Sequence, residues 1–476
     1  MTIITQEHEN EQQFSGRVKD FFRRYQIGDI LRKCNAYKHS GVPVVAVVSY
    51  LFCLVFRNRS MYLDMSSDRK GCAFGRDTVY RLKNSVRINW ERFTTLLSAR
   101  IITESLQPAV SEKRRDVFIV DDTIFERNRS RNVELLAWKY DHAKHRTIRG
   151  FQLLTLNWSD GVTQIPVNYC LSSAAKADKR INEAQIVSAG SAGGRRRRLA
   201  QMEKPDVVPF LLKEALKAKI SAQYVLFDSW YCIPKLIYTI KQMQLHTVAM
   251  VKRGSKQYVC NGRRMNCKEI FAANRKRRGR SKYLLSVDVE MPYQPDKHQD
   301  EIMIPVKLVY VRNRNKRNEY LLLLSTDLNL SEEEIIQLYG KRWNIEVFFK
   351  TCKSVLKLTG ECRSISYDAM CAQTAIVFAR YMLLALEARR EQDPRTAGPL
   401  FCLICDEIAD VTFQQALAYL QQFWEILLQA FPLPEQRITA LFSDFMASLP
   451  VDVAAMLAFV AGKSSLGHVS GCEVWV

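Results

Sequence analysis

The sequence predicts an α/β core interrupted by a β-rich insertion and flanked by N- and C-terminal helical domains. Three observations carry this. Two short apolar runs, Val117-Phe118-Ile119-Val120 and Tyr224-Val225-Leu226-Phe227, each read as a strand ending on an aspartate, Asp121 and Asp228. Between residues 252 and 327, strand-like runs such as KYLLSVDVEM and IPVKLVYV alternate with basic stretches such as NRKRRGRSK and RNRNKRN. On either side the hydrophobic spacing is helical, up to about residue 110 and again after about 395. At 476 residues the chain is too long for one ordinary core. The expected divisions are 1–110 (helical), 111–251 (first part of the core), 252–327 (basic β-rich insertion), 328–395 (second part of the core) and 396–476 (helical).

The N-terminus, MTIITQEHENEQQF, is polar and acidic and shows no signal peptide. The most apolar stretch, Val42 to Phe56, has 15 residues, too few to span a bilayer, and reads as a buried helix with Pro43 near its first turn. Gly75 to Asn84, GRDTVYRLKN, follows a turn-like SSDRKG stretch. It has the look of the second helix of a helix-turn-helix, which would offer Arg76, Thr78, Arg81 and Lys83 to DNA; a solvated helix of a bundle reads the same way. Phe151 to Trp158 and Gln164 to Leu171 read as strands joined through Ser159-Asp160-Gly161, a hairpin signal, with Pro166 favouring an edge position or a strand start. SAGSAGGRRRRLA, Ser188 to Ala200, reads as a flexible surface loop whose arginines either touch a phosphate backbone or are simply solvated. Helices are expected at Pro209 to Ile220 and Pro234 to Met243, with a strand at His246 to Val251. Ser331 and Glu334 form a capping box that opens a long helix. The aromatic-rich Phe413 to Phe431 is again helical, and no internal repeat is visible.

Lys and Arg number 70 against 49 Asp and Glu, a formal charge of +21. That charge argues for a polyanionic partner, though a merely basic soluble protein would share it. Thirteen cysteines, an odd count, point to reduced thiols. Cys402 and Cys405 form a lone C-x-x-C with no second pair at zinc spacing, which favours buried free cysteines over a metal site.

The chemistry concentrates on three acids. In an α/β sheet, functional groups gather beyond the carboxyl ends of strands, where Asp121 and Asp228 are expected. An aspartate there is also a common turn or N-cap residue. The segment YGKRWNIEVFFKTCK, Tyr339 to Lys353, adds Glu346. On a continuous helix Tyr339, Arg342, Glu346 and Lys353 fall within an arc of about 60°. A core-facing stripe would be apolar, so this face is either functional or an ion-paired solvent face. Carboxylates held close raise one another's pKa, a penalty that Mg²⁺ or Mn²⁺ removes. Two such ions suit phosphodiester cleavage and strand transfer, with Arg342 and Lys353 holding neighbouring phosphates.

Tyr339-x2-Arg342-x3-Glu346-x6-Lys353 resembles the YREK signature of bacterial insertion-sequence transposases of the DDE class, the "IS four" family. Asp121-Asp122-Thr123 resembles the family's first D-x-T motif, with the register between Asp121 and Asp122 open and Asp121 chosen from the spacing. Phe227-Asp228-Ser229-Trp230-Tyr231 resembles the second-Asp motif. The resemblance covers about residues 110 to 360. It implies a ribonuclease-H-like core with the first Asp on the first strand, the second after the fourth, and the Glu on a helix beyond a β-rich insertion. It further implies metal ligation by Asp121, Asp228 and Glu346, and binding of terminal phosphates by Tyr339, Arg342 and Lys353. Partners would be double-stranded DNA, as transposon ends and target, and a second copy of the chain in a synaptic homodimer, with no membrane. The location would be the bacterial cytoplasm, at the nucleoid. Some members pass through a hairpin stabilised by a tryptophan of the insertion. Residues 252–327 contain none, leaving Tyr258, Tyr283 or Tyr293 to stack a base instead. The alternatives are a transposase-derived DNA-binding protein that does not cut, and a site-specific nuclease without strand transfer.

Overall fold

The computed structural model describes residues 16–389, except 59, 67–73, 110–114, 142–143, 279–280, 297, 314–318 and 361–362, together with 404, 405 and 437. Cys402 and the aromatic-rich stretch 413–431 lie outside the described residues. The chain opens with α1 (Gly16–Arg24), α2 (Ile27–Lys33), α3 (Val44–Cys53), α4 (Met61–Ser66), α5 (Arg76–Lys83) and α6 (Trp90–Ile101), which continues as a π-helical turn to Leu106. Helix α3 is the expected buried helix, with Pro43 at its N-cap. Helix α5 is also where the sequence puts it, but Lys83 turns inward and donates to Gln373 across 3.0 Å, so it is not on offer to DNA. Apolar residues of α1 to α6 share one continuous core with the sheet.

One mixed sheet of eleven strands organises the rest. Its members in chain order are β1 (Val117–Glu126), β2 (Ala137–Asp141), β3 (Arg146–Ser159), β4 (Gln164–Ser172), β5 (Tyr224–Phe227), β6 (His246–Met250), β7 (Gln257–Cys260), β8 (Arg263–Asn266), β9 (Tyr283–Tyr293), β10 (Ile302–Arg312) and β11 (Tyr320–Ser325). The spatial order is β2-β3-β1-β5-β6-β11-β10-β9-β7-β8, with β4 lying beside β3. Only β1, β5 and β6 run parallel; the remaining pairs are antiparallel. Strand β11 returns from the insertion to pair with β6, so the insertion extends the core sheet edge to edge. Strand β2 carries little apolar alternation, with exposed Trp138 and Tyr140, and its residues alone give no strand signal. The Asp-Gly hairpin forms as expected: Gly161 takes φ +99°, and Asp160 Oδ1 accepts the Val162 and Thr163 N–H groups. Pro166 sits in β4, whose one sheet neighbour among the described residues is β3, at a register irregularity. At Gly150, where β3 meets both β1 and β2, a Cβ would collide with the Phe125 carbonyl oxygen.

The Arg-rich tract is not a loop. It forms α7 (Ala192–Ala200), whose N-cap Ser191 accepts the Gly194 N–H across 2.9 Å. Arg196 and Arg197 are buried, because acids from elsewhere in the chain await them. Arg196 meets Asp368 at 2.7 Å and Glu91 at 3.0 Å; Arg197 meets Asp368 at 2.6 Å and Glu134 at 2.6 Å. Next come α8 (Lys204–Lys217), which starts earlier than expected with Pro205 in its first turn and Pro209 inside it, and α9 (Pro234–Gln242). Helix α10 (Cys267–Ala273) lies in the insertion. The Ser331/Glu334 capping box opens α11 (Glu332–Gly340), followed by a 3₁₀ turn, Lys341–Trp343, and α12 (Asn344–Ser354). Helix α13 (Tyr367–Arg389) is long and apolar enough by length and composition to cross a membrane, but 83% of its apolar window is buried among α3, α5, α6, α12 and β4. Its buried Arg380 donates to the Phe52 and Leu51 carbonyls at the end of α3, supplying partners and positive charge where a helix terminus lacks both. The eight buried cysteines among the described residues are free, as the composition implied.

The arginine cluster gives a stability test. Asp368→Ala leaves two buried guanidinium groups short of a partner and is expected to cost about 3–5 kcal/mol, read as a fall in urea-unfolding free energy. A cost well under 1 kcal/mol would mean that the cluster behaves like a solvated surface pair.

Candidate active site

Strand β1 does not end at Asp121; it runs five residues further, to Glu126. Against β3 it is paired throughout, with Asp121 opposite Thr155. Against β5 it is paired only from Val117 to Ile119, because β5 has four residues and stops at Phe227. Beyond that point β1 overhangs, and Asp228, the residue following β5, stands beside the overhang. The expectation of two strand ends is thus replaced by a step in the sheet: one acid is mid-strand, the other just past a shorter neighbour. Asp121 lies on the first strand and Glu346 on a helix beyond the insertion, but Asp228 follows the fifth strand rather than the fourth, because the short β2 intervenes.

Strand alternation then separates neighbours. Asp121 and Thr123 face the α12 side. Arg342 Nη1 donates to Asp121 Oδ2 across 2.7 Å, its Nη2 lies 3.9 Å from Glu346 Oε1, and Lys353 Nζ donates to Thr123 Oγ1 across 2.6 Å. Asp122 faces the other way, where Lys204 Nζ meets its Oδ2 at 2.5 Å and the Tyr231 hydroxyl donates to the same oxygen. Asp228 Oδ1 accepts the Trp230 N–H across 3.0 Å.

The segment Tyr339 to Lys353 is not one continuous helix, and the 60° arc does not hold. The 3₁₀ turn at Lys341–Trp343 winds more tightly than an α-helix and shifts the phase of α12 against α11. Tyr339 and Arg342 are therefore buried, whereas the Glu346 side chain is 57% exposed. The guanidinium of Arg342 also lies over the Tyr339 and Trp343 rings, 5.6 and 5.2 Å from their centroids. Arg76 and Arg81 stand apart from the carboxylates, exposed on α5, with Arg76 over the Tyr62 ring and Arg81 Nε donating to the Asp77 carbonyl. Tyr258 and Tyr283 are buried and Tyr293 packs on Tyr238, so none of the three presents the free face that stacking a base requires. Exposed indoles stand elsewhere: Trp230 two residues after Asp228, and Trp343 next to Arg342.

Burial dominates the electrostatics. It pushes the Asp121 carboxyl up to about 7, against the opposing pull of Arg342 and of the Asp122 N–H, with Asp228 and Asp122 reinforcing the rise. Burial likewise raises Asp228. Burial lowers Lys353. Burial works against the charge of Arg342, but Tyr339, Asp121 and Asp228 outweigh it and raise its pKa. Among the described residues no group of three His, Cys, Asp or Glu side chains stands close enough to hold a metal ion as they are arranged. Arg342 fills the role of cation between Asp121 and Glu346. The donor set nevertheless fits a hard divalent ion, since it consists of carboxylate oxygens and two of the three are under-compensated by the protein's own charges. Lys204, Tyr231 and the pairing of Asp122 are not evident from the sequence; the one signal available is the Asp-x-x-Tyr spacing from Asp228 to Tyr231.

Comparison with protein families gives two matches. The model described as DDE superfamily endonuclease matches residues 52–289, half of the chain, and includes Asp121 and Asp228. The model described as transposase DDE domain matches residues 203–383 and includes Asp228 and Glu346. No curated protein matches. Among solved structures the chain is similar to piggyBac transposase in a cryo-EM synaptic complex with hairpin DNA, at 13% identity and a TM-score of 0.43, over 83% of this chain and 80% of that one.

The raised Asp121 has a measurable consequence in the metal-free protein. Its carboxyl titrates near 3.8 when unfolded and near 7 in the fold, so between those values the native state holds a proton that the unfolded state has lost. Stability therefore falls as pH rises through that window. Urea titrations in chelator should show the wild-type stability declining relative to Asp121→Asn from about pH 4 to about pH 7. A difference that stays flat would mean that Asp121 is solvated like an ordinary carboxylate.

Proposed function

The chain belongs to the DDE superfamily of endonucleases and is a DDE transposase enzyme; we propose that it binds the terminal inverted repeats of an insertion sequence, cleaves DNA at the element ends and joins the 3′ ends to target DNA. The single observation that carries this reading is the step between β1 and β5, where Asp121 and Asp228 adjoin and Arg342 links Asp121 to Glu346. The YREK-type spacing of Tyr339, Arg342, Glu346 and Lys353 supports the narrower assignment to the insertion-sequence family.

Asp121, Asp228 and Glu346 would hold the divalent ions, two of Mg²⁺ or Mn²⁺, which supply charge compensation and Lewis acidity to the attacking and leaving oxygens. Asp121 is favoured over Asp122 as the first acid because Asp121 shares Arg342 with Glu346, whereas Asp122 is engaged by Lys204 and Tyr231. Arg342 presents a planar fork that suits a phosphate as well as it suits the Asp121 carboxylate, so a bound DNA end can draw it off the acid. Lys353, held by Thr123, offers a point charge further along the same face of β1. The Tyr339 ring braces the guanidinium from below. Trp230 and Trp343 are exposed, each with a cation over its ring, Lys204 and Arg342, and an unpaired base can stack there by displacing that cation. The partners are duplex DNA, as element end and target, and a second copy of the chain that brings the two ends together.

The test is single-turnover cleavage and joining of a synthetic element end. Asp121→Ala, Asp228→Ala and Glu346→Ala should each slow cleavage on the order of 10³-fold or more while leaving DNA affinity nearly unchanged. Activity should vanish in chelator and return with Mg²⁺ or Mn²⁺. Full activity in chelator, or an active Asp121→Ala beside an inactive Asp122→Ala, would overturn the assignment of the acids. Cleavage without joining would make the protein a site-specific nuclease.

A further inference from the structure

Two clefts on the molecule adjoin, and neither contains a residue of the candidate active site. One, of about 590 Å³, lies between α6, α7, α8 and β4; the other, of about 450 Å³, lies between the segment after α2, the end of α5 and the start of α7. They share Ala192 and Arg195, so they form one path across the surface. Its charge is one-sided. Nine Lys and Arg line the two clefts against two acids, Glu91 and Glu214, and each acid already has its own cation, Arg196 and Lys217 respectively. The seven remaining cations, Lys38, Arg81, Arg87, Arg92, Arg195, Arg198 and Lys213, are exposed and have no ion-pair partner among the described residues. Seven like charges on one path repel one another and weaken the free protein, which argues for a polyanion that relieves them.

We propose that this path is a phosphate track for duplex DNA, separate from the catalytic carboxylates, on which Arg195 joins the two clefts. The proposal rests on the reading of the chain as a DNA-cutting transposase and adds where the uncut length of duplex lies. Helix α8 connects the two regions: Lys204 at its start meets Asp122 beside the active site, and Lys213 and Lys217 near its end line the larger cleft. From Lys204 to Lys217 the helix rises about 20 Å, or about six base-pair steps of duplex, so one DNA segment can reach both. The track also reassigns Arg81. It lines the cleft beside Arg87 and Arg195, whereas Arg76, earlier on the same helix, does not. Arg81 thus contacts backbone irrespective of sequence, and base reading by α5 falls to its start.

The experiment uses the full-length protein and a random-sequence duplex, with binding measured by fluorescence anisotropy over a salt series. Each phosphate contact adds roughly 0.9 to the slope of log affinity against log salt. Arg195→Ala/Arg198→Ala should lower the slope by about 1.8 relative to wild type. Arg195→Lys/Arg198→Lys keeps the charge and should keep the slope. Lys241→Ala/Lys268→Ala, exposed outside the clefts, should leave it unchanged. Both arginines are exposed, and circular dichroism verifies that the variants fold. Wild-type slope in Arg195→Ala/Arg198→Ala, or an equal fall in the control pair, would overturn the track. A wild-type protein that binds no duplex at all would instead overturn the transposase reading on which the track rests.

Discussion

Arg342 and Asp121 meet across 2.7 Å in a place largely closed to water, and most of the site's properties follow from that pairing. Bringing a carboxylate out of water costs more than one guanidinium returns, so Asp121 remains raised even with its partner in contact. Asp228 adds a second under-compensated acid at the same step. A protein that keeps two such groups beside each other holds them at a cost to its own stability. The arrangement makes sense when positive charge arrives from outside, as divalent ions for the acids, while a phosphate takes up the arginine.

The scaffold for this is the mismatch in length between β1, ten residues, and β5, four. The overhang is held from both sides, by Arg342 and Lys353 through Asp121 and Thr123, and by Lys204 and Tyr231 through Asp122. Tyr231 belongs to the turn that carries Asp228, so its bond to Asp122 ties the second acid's turn to the first acid's strand. Behind these lies the largely buried α13. Asp368 at its start holds Arg196 and Arg197, Arg380 holds the end of α3, and Arg389 at its end meets Asp160 at 2.6 Å in the β3–β4 turn.

Much of this is legible in the sequence where local chemistry decides it. Asp160-Gly161, the Ser331/Glu334 box and Pro43 each fix a backbone conformation within a few residues, and each turn, cap and helix start lies where expected. What fails depends on distant partners. Four consecutive arginines look solvated until Asp368 and Glu134, far along the chain, are known to face two of them. The end of β1 cannot be read from its own residues, since Asp121 continues a strand only because Thr155 pairs with it. The phase of Glu346 against Tyr339 is lost to a 3₁₀ turn of three residues, which no hydrophobic period signals. Even so, of the residues chosen from spacing, Arg342 and Lys353 reach the overhanging strand at Asp121 and Thr123, Asp228 stands beside it, and Glu346 is connected to it through Arg342.

If the pairing at the step has this meaning, Arg342 stands where a divalent cation would otherwise act on Asp121. Calorimetric titration of Mn²⁺ into metal-free protein at pH 8, wild type against Arg342→Ala, tests it most directly. Removing the resident positive charge should tighten Mn²⁺ binding, by at least severalfold given the strength of charge interactions at such range. Mn²⁺ binding that is unchanged or weaker in Arg342→Ala would contradict the claim, and would place the metal requirement somewhere other than the step between β1 and β5.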